Sequence, residues 1–316
     1  MGGGYFDSSV TRDYVARTSR SGRTMGHSAA VSKGEVAAEV HPKLDPKKKN
    51  RAGLVIRESN DSTDHPNSVP IAVIFDTTGS MNDIPLRIVK KLPDLMDLII
   101  KRKFLADPQV LFGAVNDATT MAVAPLEIGQ FESGNQMDDV ITNILVTQGG
   151  GGGTSQESYE LAMYFLARHS KLDCVEKRNR KGYLFIVGDE MPYDAVDKTE
   201  VKQIIGDEIP QDISVEEILK ELQKMYNVFW LFPGGSSHWD DSVVKSRLQK
   251  LLGQNLIMLP DPEQICTAIA AAIGVCEGIN PKEVTKQLRE GLKSEAKDKE
   301  IEDLVASVPP RRIDDF

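Results

Sequence analysis

Three cysteines in 316 residues are too few, and too scattered, to staple a fold. Cys174, Cys266 and Cys276 are odd in number and fit no zinc-binding spacing, so reduced thiols in a cytosolic protein are the expected state. Long apolar runs are missing as well. None approaches the roughly 18 residues of a membrane span, and the Gly-rich, then polar amino terminus has no signal-peptide core. Positive charge is also in short supply: 38 Lys and Arg against 47 Asp and Glu leave a net charge of −9. That balance argues against general nucleic-acid binding, because phosphate contacts need a basic surface. Catalytic signatures are absent too. Ser155 follows a glycine run rather than a strand and has no Gly-x-Ser-x-Gly elbow, so no Ser/His/Asp arrangement is visible. The expectation is a soluble, cytoplasmic protein without a nucleic-acid or membrane partner.

What is present is organised around one stretch. Val69 to Phe75 form a near-continuous apolar run that stops at Asp76-Thr77-Thr78-Gly79-Ser80. An apolar run that does not alternate reads as a fully buried parallel strand. The loop after it then lies at the carboxyl end of that strand, where open α/β sheets bind their ligands. Asp76, Thr78 and Ser80 are two residues apart, so an extended loop can aim three oxygens at one point. Hard oxygen donors in that pattern suit a small divalent cation such as Mg2+.

The rest of the chain alternates. Helical periods occupy residues 84–102, 137–146, 156–169, 215–225, 242–252 and 262–275, with Pro85 in a first turn and Pro93 inside a helix. Apolar strand-like runs occupy 110–115, 121–128, 183–187, 227–232 and 255–259. The second of these is expected to return as an antiparallel edge. Alternation of this kind implies right-handed crossovers and a doubly wound α/β sheet with helices on both faces. Outside it, residues 1–67 are polar and read as a flexible segment, in which Leu54-Val55-Ile56 could add a short strand or packing arm. His27, His41 and His65 lack ligand spacing there. Residues 277–316 are highly charged and read as a helix over 281–297 followed by a tail.

Two further segments bear on the site. The five glycines of residues 149–153 allow turns that side chains would block, and bring Thr154 to the start of a helix. A phosphate-cradling loop is the rival reading, but the run lacks the Gly-Lys-Thr ending of a P-loop and follows a helix; a flexible linker is a third. The buried strand over 183–187 runs into Gly188-Asp189-Glu190. With Asp76, Thr78 and Ser80, these segments resemble the metal-ion-dependent adhesion site of von Willebrand factor A domains, Asp-x-Ser-x-Ser, with Thr78 in place of the middle serine. Thr154 matches the threonine of the second family segment, and Asp189 the acid of the third, usually Thr-Asp-Gly. The resemblance covers about residues 68–276 and is nearest to uncharacterised single-domain members of bacteria and their phages.

The resemblance implies a mostly parallel six-stranded sheet of order 3-2-1-4-5-6 with strand 3 antiparallel at the edge. It implies metal ligands Asp76, Thr78, Ser80, Thr154 and Asp189, with Mg2+ as the ion and Mn2+ or Ca2+ as substitutes. Asp117, just past the strand over 110–115, is a candidate to orient those ligands, and so is Glu190; ordinary turn and surface roles are the alternatives for both. Few bound acids would leave the cation electrophilic and open to a partner's Asp or Glu. A metal-dependent protein-interaction module follows, with an AAA+ ATPase or an assembly component among the possible partners. The alternatives are a scaffold domain whose metal only clamps loops and a metal-dependent hydrolase. The strand-Asp start also resembles haloacid-dehalogenase phosphatases, but Thr78 stands where their general acid is needed, so no enzyme activity is expected. In the loop over 233–239, His238 and Trp239 could read a partner, with an aromatic packed on its own helix as the favoured alternative.

Overall fold

The computed structural model describes residues 5–120, 123–146, 153–291 and 298–309. Its centre is a six-stranded sheet of β1 (Ser68–Asp76), β2 (Asp107–Val115), β3 (Leu126–Ile128), β4 (Gly182–Val187), β5 (Tyr226–Pro233) and β6 (Leu256–Leu259). The strands pair in the order β6-β5-β4-β1-β2-β3. All pairs are parallel except β2 with β3. β1 is buried along its whole length because successive side chains enter opposite apolar layers. Val69, Ile71, Val73 and Phe75 face one layer, while Ala72 and Ile74 face the other.

Helices form both layers. On the first face lie α2 (Ile84–Lys101) and α6 (Ile265–Cys276); on the second, α3 (Tyr159–Arg168), α4 (Val215–Leu222) and α5 (Ser242–Leu252). α2 has Pro85 in its first turn, where no amide partner is lost, and runs on through Pro93. The helix expected over 137–146 is shorter, Gln136–Ile141, and the edge strand is confined to Leu126–Ile128. Residues 121–122, 149–152, 292–297 and 310–316, to which parts of several expectations refer, lie outside the described residues. No described helix is long and apolar enough to cross a membrane.

Both terminal segments differ from expectation. Residues 5–67 are seated on the domain. α1 (Ser8–Ser19) lies along α2, with Arg12 paired to Asp94 and Asp97, both at 2.9 Å. The arm after it shields the sheet edge: the Ile128 amide of β3 donates to the Leu44 carbonyl at 2.7 Å. Buried Arg57 donates from Nε to Gly129 O (2.8 Å), from Nη1 to Lys48 O (3.0 Å) and from Nη2 to Asp45 O (2.9 Å) and Ile128 O (3.3 Å). Arg57–Ser59 pairs in parallel with Ser170–Leu172. Composition predicted flexibility because it weighs only apolar content; this segment is held by hydrogen bonds as well as by a few core residues such as Met25 and Leu44. At the other end, α7 (Pro281–Gly291) and α8 (Asp298–Ser307) place Val284, Leu288, Ile301, Leu304, Val305 and Val308 in the same core as α6. The charged surface of these helices concealed an apolar stripe.

Candidate metal centre

The parallel register puts the carboxyl ends of β1, β2 and β4 side by side. Asp76 pairs with Val115, and Phe75 with Val187. The loops that follow therefore leave from one edge of the sheet. The first winds around Asp76. Its Oδ1 accepts from the Thr78 amide (2.7 Å) and from Thr78 Oγ1 (2.6 Å), which draws the chain back into a short turn at Gly79–Met81. Thr78 Oγ1 lies 3.0 Å from Ser80 Oγ, and Ser80 Oγ donates to Asp189 Oδ1 at 2.9 Å and to Glu190 Oε2 at 3.4 Å. Asp76, Asp189 and Glu190 are buried, and each offers an oxygen within 4.8 Å of the others. Opposed ligands around Mg2+ lie about 4 Å apart and adjacent ones about 3 Å, given metal–oxygen distances of about 2.1 Å. The three acids and two hydroxyls are a donor set suited to such a hard cation.

The loop after β5 closes one side. The amide of Ser237 donates to Ser80 O at 3.0 Å, and the amide of His238 donates to Asp189 Oδ2 at 3.0 Å. His238 Nε2 lies 3.2 Å from Glu190 Oε1. Trp239 turns away from the site, 5.9 Å from the Phe232 ring and under the Lys245 ammonium of α5.

Beneath Asp76 sits Tyr159, at the start of α3, whose hydroxyl donates to Asp76 Oδ2 at 2.8 Å. Its ring lies against Trp230, 4.6 Å between centroids, and Trp230 Nε1 donates to Gly188 O at 2.9 Å. A Cβ on residue 188 would stand 2.0 Å from the Tyr159 hydroxyl, so glycine there is a condition of this contact. Sequence reasoning missed Tyr159; the only trace of it was Gly188 standing where the family pattern has a threonine.

Thr154 and Asp117 join a second network. Thr154 is exposed, and its hydroxyl pairs with the Tyr193 phenol. Tyr193 donates to Asp117 Oδ1 at 3.1 Å, and that oxygen also accepts from the amide (2.9 Å) and hydroxyl (2.6 Å) of Thr119. Asp117-Ala118-Thr119 at the end of β2 thus repeats the turn that Asp76-Thr77-Thr78 makes at the end of β1. The Tyr193 amide donates to Glu160 Oε2 at 3.0 Å. The five residues Asp76, Thr78, Ser80, Asp189 and Glu190 are linked to one another by hydrogen bonds, whereas Thr154 and Asp117 are linked through Tyr193.

Carboxylates so crowded and so dry resist ionisation. Burial, reinforced by Asp189 and Glu190, pushes the Asp76 carboxyl up to about 7 against the opposing bonds from Thr78. Burial also raises Glu190, with Asp189 adding to it and Glu157, His238 and Ser80 opposing. Glu157, two residues before Tyr159, is raised by burial first and then by Asp76 and Glu190. A bound cation relieves such repulsion, so metal affinity and proton release are coupled here.

No family model matches the chain, and no curated protein does. Among solved structures, it is similar to the pilus adhesin SpaC of Lactobacillus rhamnosus GG in its open conformation, with a TM-score of 0.44 and 9% identity over 74% of this chain. Another form of that adhesin aligns with a TM-score of 0.43 and 10% identity over 69% of this chain. The chain spans about a third of either adhesin chain, 31% and 32%.

Proposed function

We propose that this chain is a metal-dependent protein-interaction module of the von Willebrand factor A type, with a doubly wound sheet. In this reading Asp76, Thr78, Ser80 and Asp189 form the shell of a Mg2+ ion, which Mn2+ or Ca2+ could replace, while Thr154 is held in the neighbouring network by Tyr193. A partner protein's Asp or Glu completes the shell. One observation carries the reading: Ser80 Oγ bridges Thr78 to Asp189 and Glu190, joining the loops after β1 and β4 at one edge of the sheet. Both oxygens of Asp76 already accept protein hydrogen bonds, from Thr78 and Tyr159, which suits it to hold the ion through hydroxyls or water. Thr78 and Ser80 are neutral ligands that leave a cation electrophilic, and Ser80 and His238 keep the site partly open. The role is binding rather than catalysis, and an AAA+ ATPase or an assembly component is a fitting class of partner.

A second reading is a scaffold whose ion only clamps loops. It is favoured by Ser237 and His238, which tie the loop after β5 to Ser80, Asp189 and Glu190. Calorimetry with Mg2+, followed by binding of immobilised Asp- or Glu-bearing peptides with and without EDTA, separates the two. The module binds Mg2+ and captures carboxylate peptides only when metal is present, and Asp76→Ala abolishes both while the sheet stays folded. Mg2+ that raises the melting temperature without any carboxylate capture selects the scaffold. Unchanged Mg2+ affinity in Asp76→Ala removes the metal centre from either account.

A further inference from the structure

Among the described residues, Glu157 is a fully buried acid to which no protein N–H or hydroxyl group donates on either carboxylate oxygen. Its side-chain hydrogen bond is with the Glu190 carboxyl. A carboxylate has about four acceptor sites, and leaving them dry and empty is among the costlier arrangements in a protein interior. Its neighbours do not offset that cost. Asp76, Glu190 and Asp117 are the charges that face it. Among the described residues, no lysine or arginine pairs with Asp76, Glu157, Asp189 or Glu190; the nearest basic group is the His238 ring on Glu190.

Its placement follows from the backbone. Ser155 takes a left-handed turn with φ of 57°, and Gln156–Glu157 then pairs in parallel with Met191–Pro192. Gln156 lies opposite Met191, the residue after Glu190, so the Glu157 and Glu190 side chains leave neighbouring strands and their carboxyls face each other. Two residues on, Tyr159 reaches Asp76. Glu157 therefore lies beside the acidic cluster, facing Glu190 and Asp76. One divalent ion held by Asp76, Ser80 and Asp189 offsets the charge of Asp76 and Asp189 and leaves Glu157 and Glu190 joined by a hydrogen bond with no cation between them.

We propose that Glu157 and Glu190 hold a second divalent cation beside the one assigned to Asp76, Ser80 and Asp189. Glu190 is then the shared ligand between the ions. The two positions have opposite characters: the first lies under the partly open Ser80 and His238, and the second lies inside, against buried Glu157. The proposal rests on the metal-centre reading above and adds an ion to it.

Counting Mn2+ per chain by equilibrium dialysis tests it on the intact protein. The expected result is two ions for the unaltered chain and one for Glu157→Gln, which keeps the side chain's shape while removing its charge. One ion at saturation in the unaltered chain, or two in Glu157→Gln, overturns the proposal and leaves the metal centre standing. No bound ion overturns both. Electron paramagnetic resonance supplies a measurement that needs no variant. Ions of a two-metal site lie about 3.5–4 Å apart, so the six-line Mn2+ signal of the unaltered chain should broaden by spin coupling between the first equivalent and the second. Two fully loaded but uncoupled ions would place the second one elsewhere and overturn the assignment to Glu157.

Discussion

Gly188 and Tyr159 show how closely the site's residues constrain one another. The Tyr159 phenol occupies the volume a side chain on residue 188 would need, with the ring carbon Cζ 2.6 Å from such a Cβ. Gly188→Ala is therefore an overpacking change in a dry core, expected to cost about 1–3 kcal/mol. It should also weaken Mg2+ binding, because the phenol can yield only by leaving Asp76. Adding Tyr159→Phe removes the worst contact and should return part of the lost stability without restoring the bond to Asp76. Thermal melts and Mg2+ titration of the single and double variants check this. A Gly188→Ala protein with unaltered melting and unaltered affinity would detach Tyr159 from the site. Asp117 teaches a different lesson. Its position just past the end of β2 could be read from the chain, but its partners Thr119 and Tyr193 could not, since Tyr193 arrives from a loop 76 residues away in sequence.

Among the elements, the amino-terminal arm contributes more than its composition suggests. Arg57 is a buried cation that binds four carbonyl oxygens and lies over the Phe165 ring at 5.1 Å. Burial depresses its guanidinium to about 10, still far above neutral pH, so it remains charged. The arm, the edge strand β3 and α3 meet at this one side chain. Arg57→Met keeps the stem but leaves buried carbonyls without donors, each worth roughly 1–3 kcal/mol. A loss of about 3 kcal/mol or more is expected, together with rapid tryptic cleavage in residues 12–51, which should resist protease in the unaltered protein. Arg57→Met with the arm still protected would mean that α1 and its Arg12 bridges suffice to hold the segment.

On the scale of the whole molecule, the burden of buried acid sets the pH response. Asp76 is raised from its ordinary 3.8 to about 7, and Glu127, which burial dominates, from 4.5 to about 8. Glu127 accepts from the Leu145 amide at 3.0 Å and lies in the β3 edge, apart from the metal cluster. For an acid whose value rises on folding, the folded state holds the proton more tightly than the unfolded chain. Its contribution to stability is complete below the ordinary value and lost as pH climbs through the raised one. Metal-free protein should therefore melt progressively lower as pH rises from about 4 to about 8. Glu127→Gln should flatten the upper part of that slope without changing Mg2+ affinity, and saturating Mg2+ should flatten the part due to Asp76. Melting curves in EDTA and in Mg2+ across that range test both, and a melting temperature that climbs with pH in EDTA contradicts the linkage.

A mostly parallel six-stranded sheet with helices was legible in the chain because its signals are local. Unalternating apolar runs such as Val69–Phe75 are stable only where both faces are covered, and helical periods between them supply the cover. The candidate site was legible to the extent that Asp76, Thr78 and Ser80 share one loop, with Asp189 marked by an apolar strand ending in an acid. What only the tertiary structure decided is everything set by contact between distant segments. Glu190 joined the cluster, Glu157 came to face it, Tyr159 bonded to Asp76, and the Thr154 hydroxyl was paired with Tyr193. Composition read residues 1–67 as loose because it weighs apolar surface, whereas Arg57 and Leu44 hold the segment through backbone carbonyls that no composition records. Burial and charge proximity are properties of the folded chain alone, and they raise the protonation of acids whose sequence neighbours give no hint of it.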